Sequence, residues 1–238
     1  DQWEIIEDLI LETINSISKK DISFIINTHF HYDHVDGNKA FGKKGIPIIS
    51  HENVRKRLKR KTKLYGHPQH NYNMVQDKYP DFALPSTVYN STMKIYVEDE
   101  EIQLLYFGPG HTDGDTIAFF KNNNVIHAGD SFVTYGYPYV DLNDGGSFKG
   151  FINVLSQIIA ISNEQTKIIP GHGPVCDVGD VIILKNILQE HYDVTEKGFT
   201  EGLSVEQIMA EIPSELDGPG NITKEDFIMN IIYDLKTN

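Results

Sequence analysis

The sequence predicts an α/β fold in which two sheets are covered by helices. Short β-rich apolar runs recur from Ile22 to Pro170, segments with helical periodicity flank and interrupt them, and polar loops rich in histidine, aspartate and glycine follow several of the runs. At 238 residues the chain is long enough to bury a large core. We expect one domain over residues 1–238, with 178–238 as its helical C-terminal part.

The opening stretch places Trp3, Ile6, Ile10, Ile14 and Ile17 at steps of three and four, one apolar stripe of an amphipathic helix ending near Lys19 and Lys20. Ile22 to Thr28 then reads as a strand feeding the polar loop THFHYDHVDGN. A short helix at Asn38 to Phe41, a strand at Ile46 to Ile49 and a helix at His51 to Arg60 continue a βαβ rhythm. Thr62 to Thr92 keeps no sustained period and reads as a long excursion, a candidate wall of a substrate cleft. MKIYV, IQLLYF, TIAFF and NVIHA predict an antiparallel meander. A helix at Phe148 to Ser162, the strand TKIIP, and helices at Val178 to Lys197, Val205 to Ile212 and Lys224 to Leu235 complete the chain.

Composition narrows the function. The formal charge of −13, from 34 acidic against 21 basic residues, repels a phosphate backbone, so no nucleic-acid partner is expected. The basic run VRKRLKRKTK reads as a solvated helix face. No apolar run approaches the ~20 residues of a membrane-spanning helix. The single cysteine, Cys176, excludes an intramolecular disulfide and reads as a buried, inert thiol. Localisation and oligomeric state are left open.

The chemistry is concentrated in four places. His29, His31, Asp33 and His34 fall within six positions, all nitrogen or oxygen donors suited to zinc. Histidines two apart at a strand end point to one side, and the following turn can swing Asp33 and His34 toward a second point nearby. His111 in GPGHTDGDT, Asp130 in HAGDS and His172 in IIPGHGP each sit in a glycine-bearing loop joined to a predicted strand. Asp113 and Asp115 are read as bonding their loop's backbone, with Asp115 a candidate to orient a histidine. Tyr135, Tyr137 and Tyr139 read first as aromatic packing in a loop, with one hydroxyl, that of Tyr137, a candidate to steady an oxyanion. His51, His67, His70, His127 and His191 lack ligand-spaced neighbours and are assigned structural or surface roles.

In this order, the four motifs resemble those of the metallo-β-lactamase superfamily over nearly the whole chain. The resemblance implies a four-layer αββα sandwich with metals at one edge: His29, His31 and His111 on one ion, Asp33, His34 and His172 on the second, and Asp130 between them. The family's opening strands have no counterpart ahead of the first predicted helix. The implied cofactors are two zinc ions, with iron or manganese as alternatives. The implied chemistry is hydrolysis by a metal-bridging hydroxide, oriented by Asp33, of a small and preferably anionic β-lactam, lactone or (thio)ester. A mononuclear iron dioxygenase acting on persulfides and a phosphodiesterase of the same fold are the alternatives. The chain is most similar in pattern to glyoxalase II, lactonases and some β-lactamases, whereas family nucleases carry an inserted domain that finds no room here. Its acidic C-terminal stretch, SVEQIMAEIPSELDGPGNITKEDF, differs from the basic one that grips glutathione in the thioesterases.

Overall fold

The computed structural model describes residues 4–65 and 73–237. Trp3, His67 and His70 lie outside the described residues, as does part of the Thr62 to Thr92 excursion. In chain order the described elements are α1 (Glu7–Ile17), β1 (Ile25–Ile26), α2 (Tyr32–Val35), α3 (Asn38–Lys43), β2 (Ile48–His51), α4 (Glu52–Leu58), β3 (Thr62–Tyr65), β4 (Asn73–Gln76), β5 (Thr87–Tyr89), β6 (Thr92–Val97), β7 (Glu100–Leu105), β8 (Ile117–Phe120), β9 (Val125–Gly129), α5 (Phe148–Ile161), β10 (Lys167–Pro170), α6 (Val178–Glu201), α7 (Val205–Glu211) and α8 (Lys224–Thr237).

Two sheets form the centre. The first is parallel, in the order β1-β2-β5, and the second runs β10-β9-β8-β7-β6, with β10 parallel to β9 and the rest antiparallel. Alternation along the strands explains the layering. On β8 and β9, Ile117, Phe119, Ile126 and Ala128 face a core shared with Phe151, Leu155 and Ile158 of α5, Leu184 and Leu188 of α6, and Phe227 of α8. Ala118, with Ile102 and Leu104 of β7, faces the other way, onto Ile49 and Tyr89 of the parallel sheet. Phe30, Val35, Val54 and Leu58 close a further core beneath α2 and α4. The result is the helix-sheet-sheet-helix sandwich that the resemblance implied.

The differences from expectation have physical causes. The first helix forms, but none of its residues is fully buried and Ile17 is 81% exposed, so its apolar stripe is only partly covered. The predicted strand from Ile22 pairs over Ile25 and Ile26 alone. The described parts of the excursion are more ordered than the sequence suggests: β3 and β4 pair antiparallel, and β5 joins the parallel sheet beside β2. Each of these strands has only three or four residues, too few to show a period. Gln76 at the end of β4 donates its side-chain amide to the carbonyl of Phe30 at 2.8 Å, which ties the excursion to the histidine loop.

Topology brings the polar loops together. Because β10, β9 and β7 run the same way, their C-terminal ends share one edge of the larger sheet. Thr116 N–H donates to the carbonyl of Thr28 at 2.7 Å, joining that edge to the end of β1. Gly171 seals the same corner: its N–H donates to the carbonyl of Gly129 at 2.8 Å, and a Cβ there would stand 1.9 Å from Oδ1 of Asp130. Overpacking of this kind costs ~1–3 kcal/mol. Gly171→Ala is therefore expected to lower the melting temperature of the metal-free protein by several degrees in calorimetry; an unchanged Tm would show that Asp130 moves aside freely.

Candidate metal centre

The tight HFHYDHV segment sets the first four donors. His31 is extended at φ −63°, ψ 145°, and the chain then turns directly into α2, which carries Asp33 and His34 back over the preceding residues. His29, His31 and His34 are buried, and Asp33 keeps 19% of its side chain exposed. The loop ahead of β8 adds His111, the end of β9 adds Asp130 and the end of β10 adds His172, whose side chain is 43% exposed and marks the open side.

The donor atoms fall into overlapping groups, each able to hold a cation. His29, His31 and His111 form one, Asp33, His34 and His172 a second, and His29, His34 and Asp130 a third that joins them; within each group the ligand atoms lie within 4.8 Å of one another. Asp130 stands between the first two sets, with Oδ1 3.2 Å from Nε2 of His34 and Oδ2 3.7 Å and 3.6 Å from Nε2 of His111 and His172. Asp33 Oδ2 lies 3.2 Å from Nε2 of both His34 and His172.

Outer contacts settle which ring nitrogen faces inward for His111 and His31. His111 Nδ1 is 2.7 Å from the carbonyl of Tyr139, so it carries the proton and donates, leaving Nε2 as the free donor atom. His31 Nε2 lies 2.9 Å from Oδ2 of the buried Asp141, which leaves Nδ1 turned toward His111 Nε2 at 2.9 Å. His29 Nε2 is buried without a hydrogen-bond partner. An orphaned imidazole nitrogen among other inward-facing nitrogens is costly unless a cation receives its lone pair.

The electrostatics agree with that reading. Burial, reinforced by the neighbouring histidines, holds His29 well below its ordinary pKa, and burial lowers His111 to about 4, so both are neutral donors. For His34, burial alone would favour the neutral ring, but Asp130 and Asp33 overcome it and push the group up to about 9. Burial would likewise raise the carboxyls, yet hydrogen bonds from His172 and His34 hold Asp33 far below its usual range, and His34 brings Asp130 to about 2. The cluster thus attracts positive charge at the second set, and a divalent ion would displace the proton held there. Residues and group fit.

Other residues fall differently. Tyr137 does not reach the cluster: it is 2% exposed, its ring packs 5.0 Å from that of Phe227, and its hydroxyl lies 3.0 Å from Nε2 of His191. Gly136 at φ 112° turns the chain so that the tyrosines do not share a side. Tyr135 instead lies 5.7 Å, ring to ring, from His172, and Tyr139 lies 6.0 Å from His31 and 5.9 Å from His111. Asp115 accepts from the N–H and hydroxyl of Thr112, as a loop-bonding residue should; the carboxylate that bonds the outer nitrogen of His31 is Asp141. His51 accepts from Asn53 N–H at the start of α4 and stacks 4.1 Å from Tyr106, a structural role. Cys176 is half-buried, and burial raises its thiol to about 11, leaving it protonated and unreactive at neutral pH.

Comparison with known proteins agrees with this geometry. The family model described as the metallo-β-lactamase superfamily matches residues 3–177. A hydroxyacylglutathione hydrolase of Pelagibacter ubique is 28% identical over 151 residues, 63% of this chain and 52% of the relative, so the chain spans about half the length of that protein. A probable metallo-hydrolase of Methanocaldococcus jannaschii is 27% identical over 180 residues, covering 71% of this chain and 79% of the relative. Among solved structures, a metallo-β-lactamase from Pontibacter korlensis superposes with a TM-score of 0.59 at 14% identity, covering 79% and 78% of the two chains. The B3 metallo-β-lactamase BLEG-1 gives 0.60 at 20% identity, covering 76% and 83%. These structures establish the fold, and with the family match over most of its length the chain belongs to the metallo-β-lactamase superfamily.

Proposed function

We propose that the protein is a dinuclear zinc hydrolase that opens small anionic carbonyl substrates, with β-lactams and lactones ahead of thioesters and phosphodiesters. The observation that carries this reading is the position of Asp130, with carboxylate oxygens directed to donors of both the three-histidine set and the Asp33, His34 and His172 set. His29, His31 and His111 would hold the first ion, Asp33, His34 and His172 the second, with Asp130 shared. Bound there, the ions supply Lewis acidity and lower the pKa of water to ~7, making a nucleophile available at neutral pH.

The chain's own residues do the rest. His29, His31 and His111 bring no negative charge of their own, so only the shared Asp130 would offset the first ion, which would favour polarisation of a substrate carbonyl. Asp33, anionic and partly exposed, accepts a hydrogen bond from the attacking water and fixes its direction. His172, half-exposed at the open side, would meet an arriving substrate carboxylate or a departing leaving group. No side-chain nucleophile is required.

Charge selects the substrate. Two divalent ions against the two carboxylates Asp33 and Asp130 leave local positive charge, whereas the formal charge of −13 discourages large polyanions. Small anions satisfy both conditions. In ring opening the leaving nitrogen or oxygen stays tethered, and a second ion would hold the anion it becomes until water protonates it. The similarity to a hydroxyacylglutathione hydrolase supports a thioester as the second reading. It ranks lower because the C-terminal part carries Glu206, Glu211, Glu215 and Asp217 where an anionic tripeptide would need basic groups.

Two measurements test the proposal. Asp33→Ala is expected to lower kcat/KM by roughly 100- to 10,000-fold, the usual worth of a positioned acid-base group, with little change in Tm; near-parental rates on the best substrate would remove Asp33 from the reaction. In a panel assayed with zinc and again with manganese, kcat/KM should be higher for a β-lactam or a lactone than for bis-p-nitrophenyl phosphate. The reverse order with both metals would make the protein a phosphodiesterase.

A further inference from the structure

The basic run VRKRLKRKTK is not uniformly a solvated face. Lys56, Lys59, Arg60, Lys61 and Lys63 are exposed, but the Arg57 side chain is only 10% exposed and turns inward. Its Nε and Nη2 each donate at 2.7 Å to Oδ1 and Oδ2 of Asp113, a two-pronged pair, while Nη1 donates to Oδ1 of Asp144 and Nη2 also reaches the Asp144 carbonyl at 2.6 Å. The guanidinium carbon lies 5.2 Å from the ring centre of Phe30. One side chain thus touches three loops of the candidate centre.

Each loop leads directly to a donor of the three-histidine set. Phe30 sits between His29 and His31, and Asp113 lies two residues after His111. Asp144 N–H donates to Asp141 Oδ1 at 3.1 Å, Asp141 N–H donates to the carbonyl of His111 at 2.8 Å, and Asp141 Oδ2 meets His31 Nε2 at 2.9 Å. Asn53, also on α4, donates to the carbonyl of Asp113 at 2.8 Å and holds the helix against the same loop.

We infer that Arg57, acting through Asp113, Asp144 and Asp141, is a positioning residue that fixes His31 and His111 as a preformed three-histidine metal site. The Asp33, His34 and His172 set receives no contact from it among the described interactions. A lysine cannot replace it, because a single ammonium cannot span two carboxylates and a carbonyl with a planar fork. The inference rests on the three-histidine set holding a metal, as proposed above.

The test is zinc titration of the metal-stripped full chain by competition with a chromophoric chelator, alongside nitrogen-detected NMR of the imidazole N–H groups in the zinc-loaded protein. Loss of an outer partner typically weakens a metal site 10- to 100-fold. Arg57→Met should weaken one of the parental zinc affinities by about that factor, leave the other within about threefold, and accelerate exchange of the His31 Nε2 proton. Arg57→Lys should fall between. Lys56→Met, an exposed charge change on the same helix, should match the parent, and Leu188→Ala, buried in the distant helical core, should lose Tm without singling out one zinc. If the parent binds no zinc, the metal assignment fails. If the parent binds zinc and Arg57→Met weakens both sites equally, or no more than Leu188→Ala at equal loss of Tm, Arg57 is a structural residue and the inference is overturned.

Discussion

Five imidazoles and two carboxylates meet at one corner of this molecule, most of them buried and several with donor atoms facing one another. Left alone, such a cluster is unfavourable: neutral nitrogens such as His29 Nε2 give up their bonds to water with nothing in return, and two carboxylates are brought together in a poorly solvated place. The surrounding architecture exists to hold that arrangement. Parallel running of β7, β9 and β10 brings three loops to one edge, the bond from Thr116 to Thr28 draws the smaller sheet's loop to it, and Gly171 lets Asp130 occupy the space where a side chain would otherwise stand. A bound divalent cation would resolve the cost, because it would accept the lone pairs and offset the negative charge at once.

Much of this was legible in the sequence, for a reason that can be stated locally. His29, His31, Asp33 and His34 are neighbours in the chain, so their convergence needs only a strand end and a turn, and α2 starts where that turn was expected. The meander and the helices at Phe148, Val178, Val205 and Lys224 have clear periods and lie close to their predicted bounds. The layered fold followed from them.

What escaped the sequence depends on distant contacts. Asp141 orients His31 across 110 positions, and Arg57 meets Asp144 across 87, so nothing near either residue announces a role. Arg57 was hidden further by standing in a run of mostly exposed cations, where composition does not mark a guanidinium that turns inward. Tyr137 was singled out among three tyrosines by composition alone, and its place beside His191 and Phe227 is set by residues 54 and 90 positions away. The short strands β3, β4 and β5 show no period of their own and are fixed by their partners.

In the proposed centre, chemistry follows from two unlike ligand sets, one of three imidazoles and one containing a carboxylate, joined through Asp130. Elemental analysis of the zinc-saturated protein, paired with anomalous diffraction from its crystals, tests this most directly. The account predicts two zinc ions for each chain, bound with unequal affinity and both in contact with Asp130. A zinc-replete protein that never exceeds one ion, with Asp130 away from it, would contradict it.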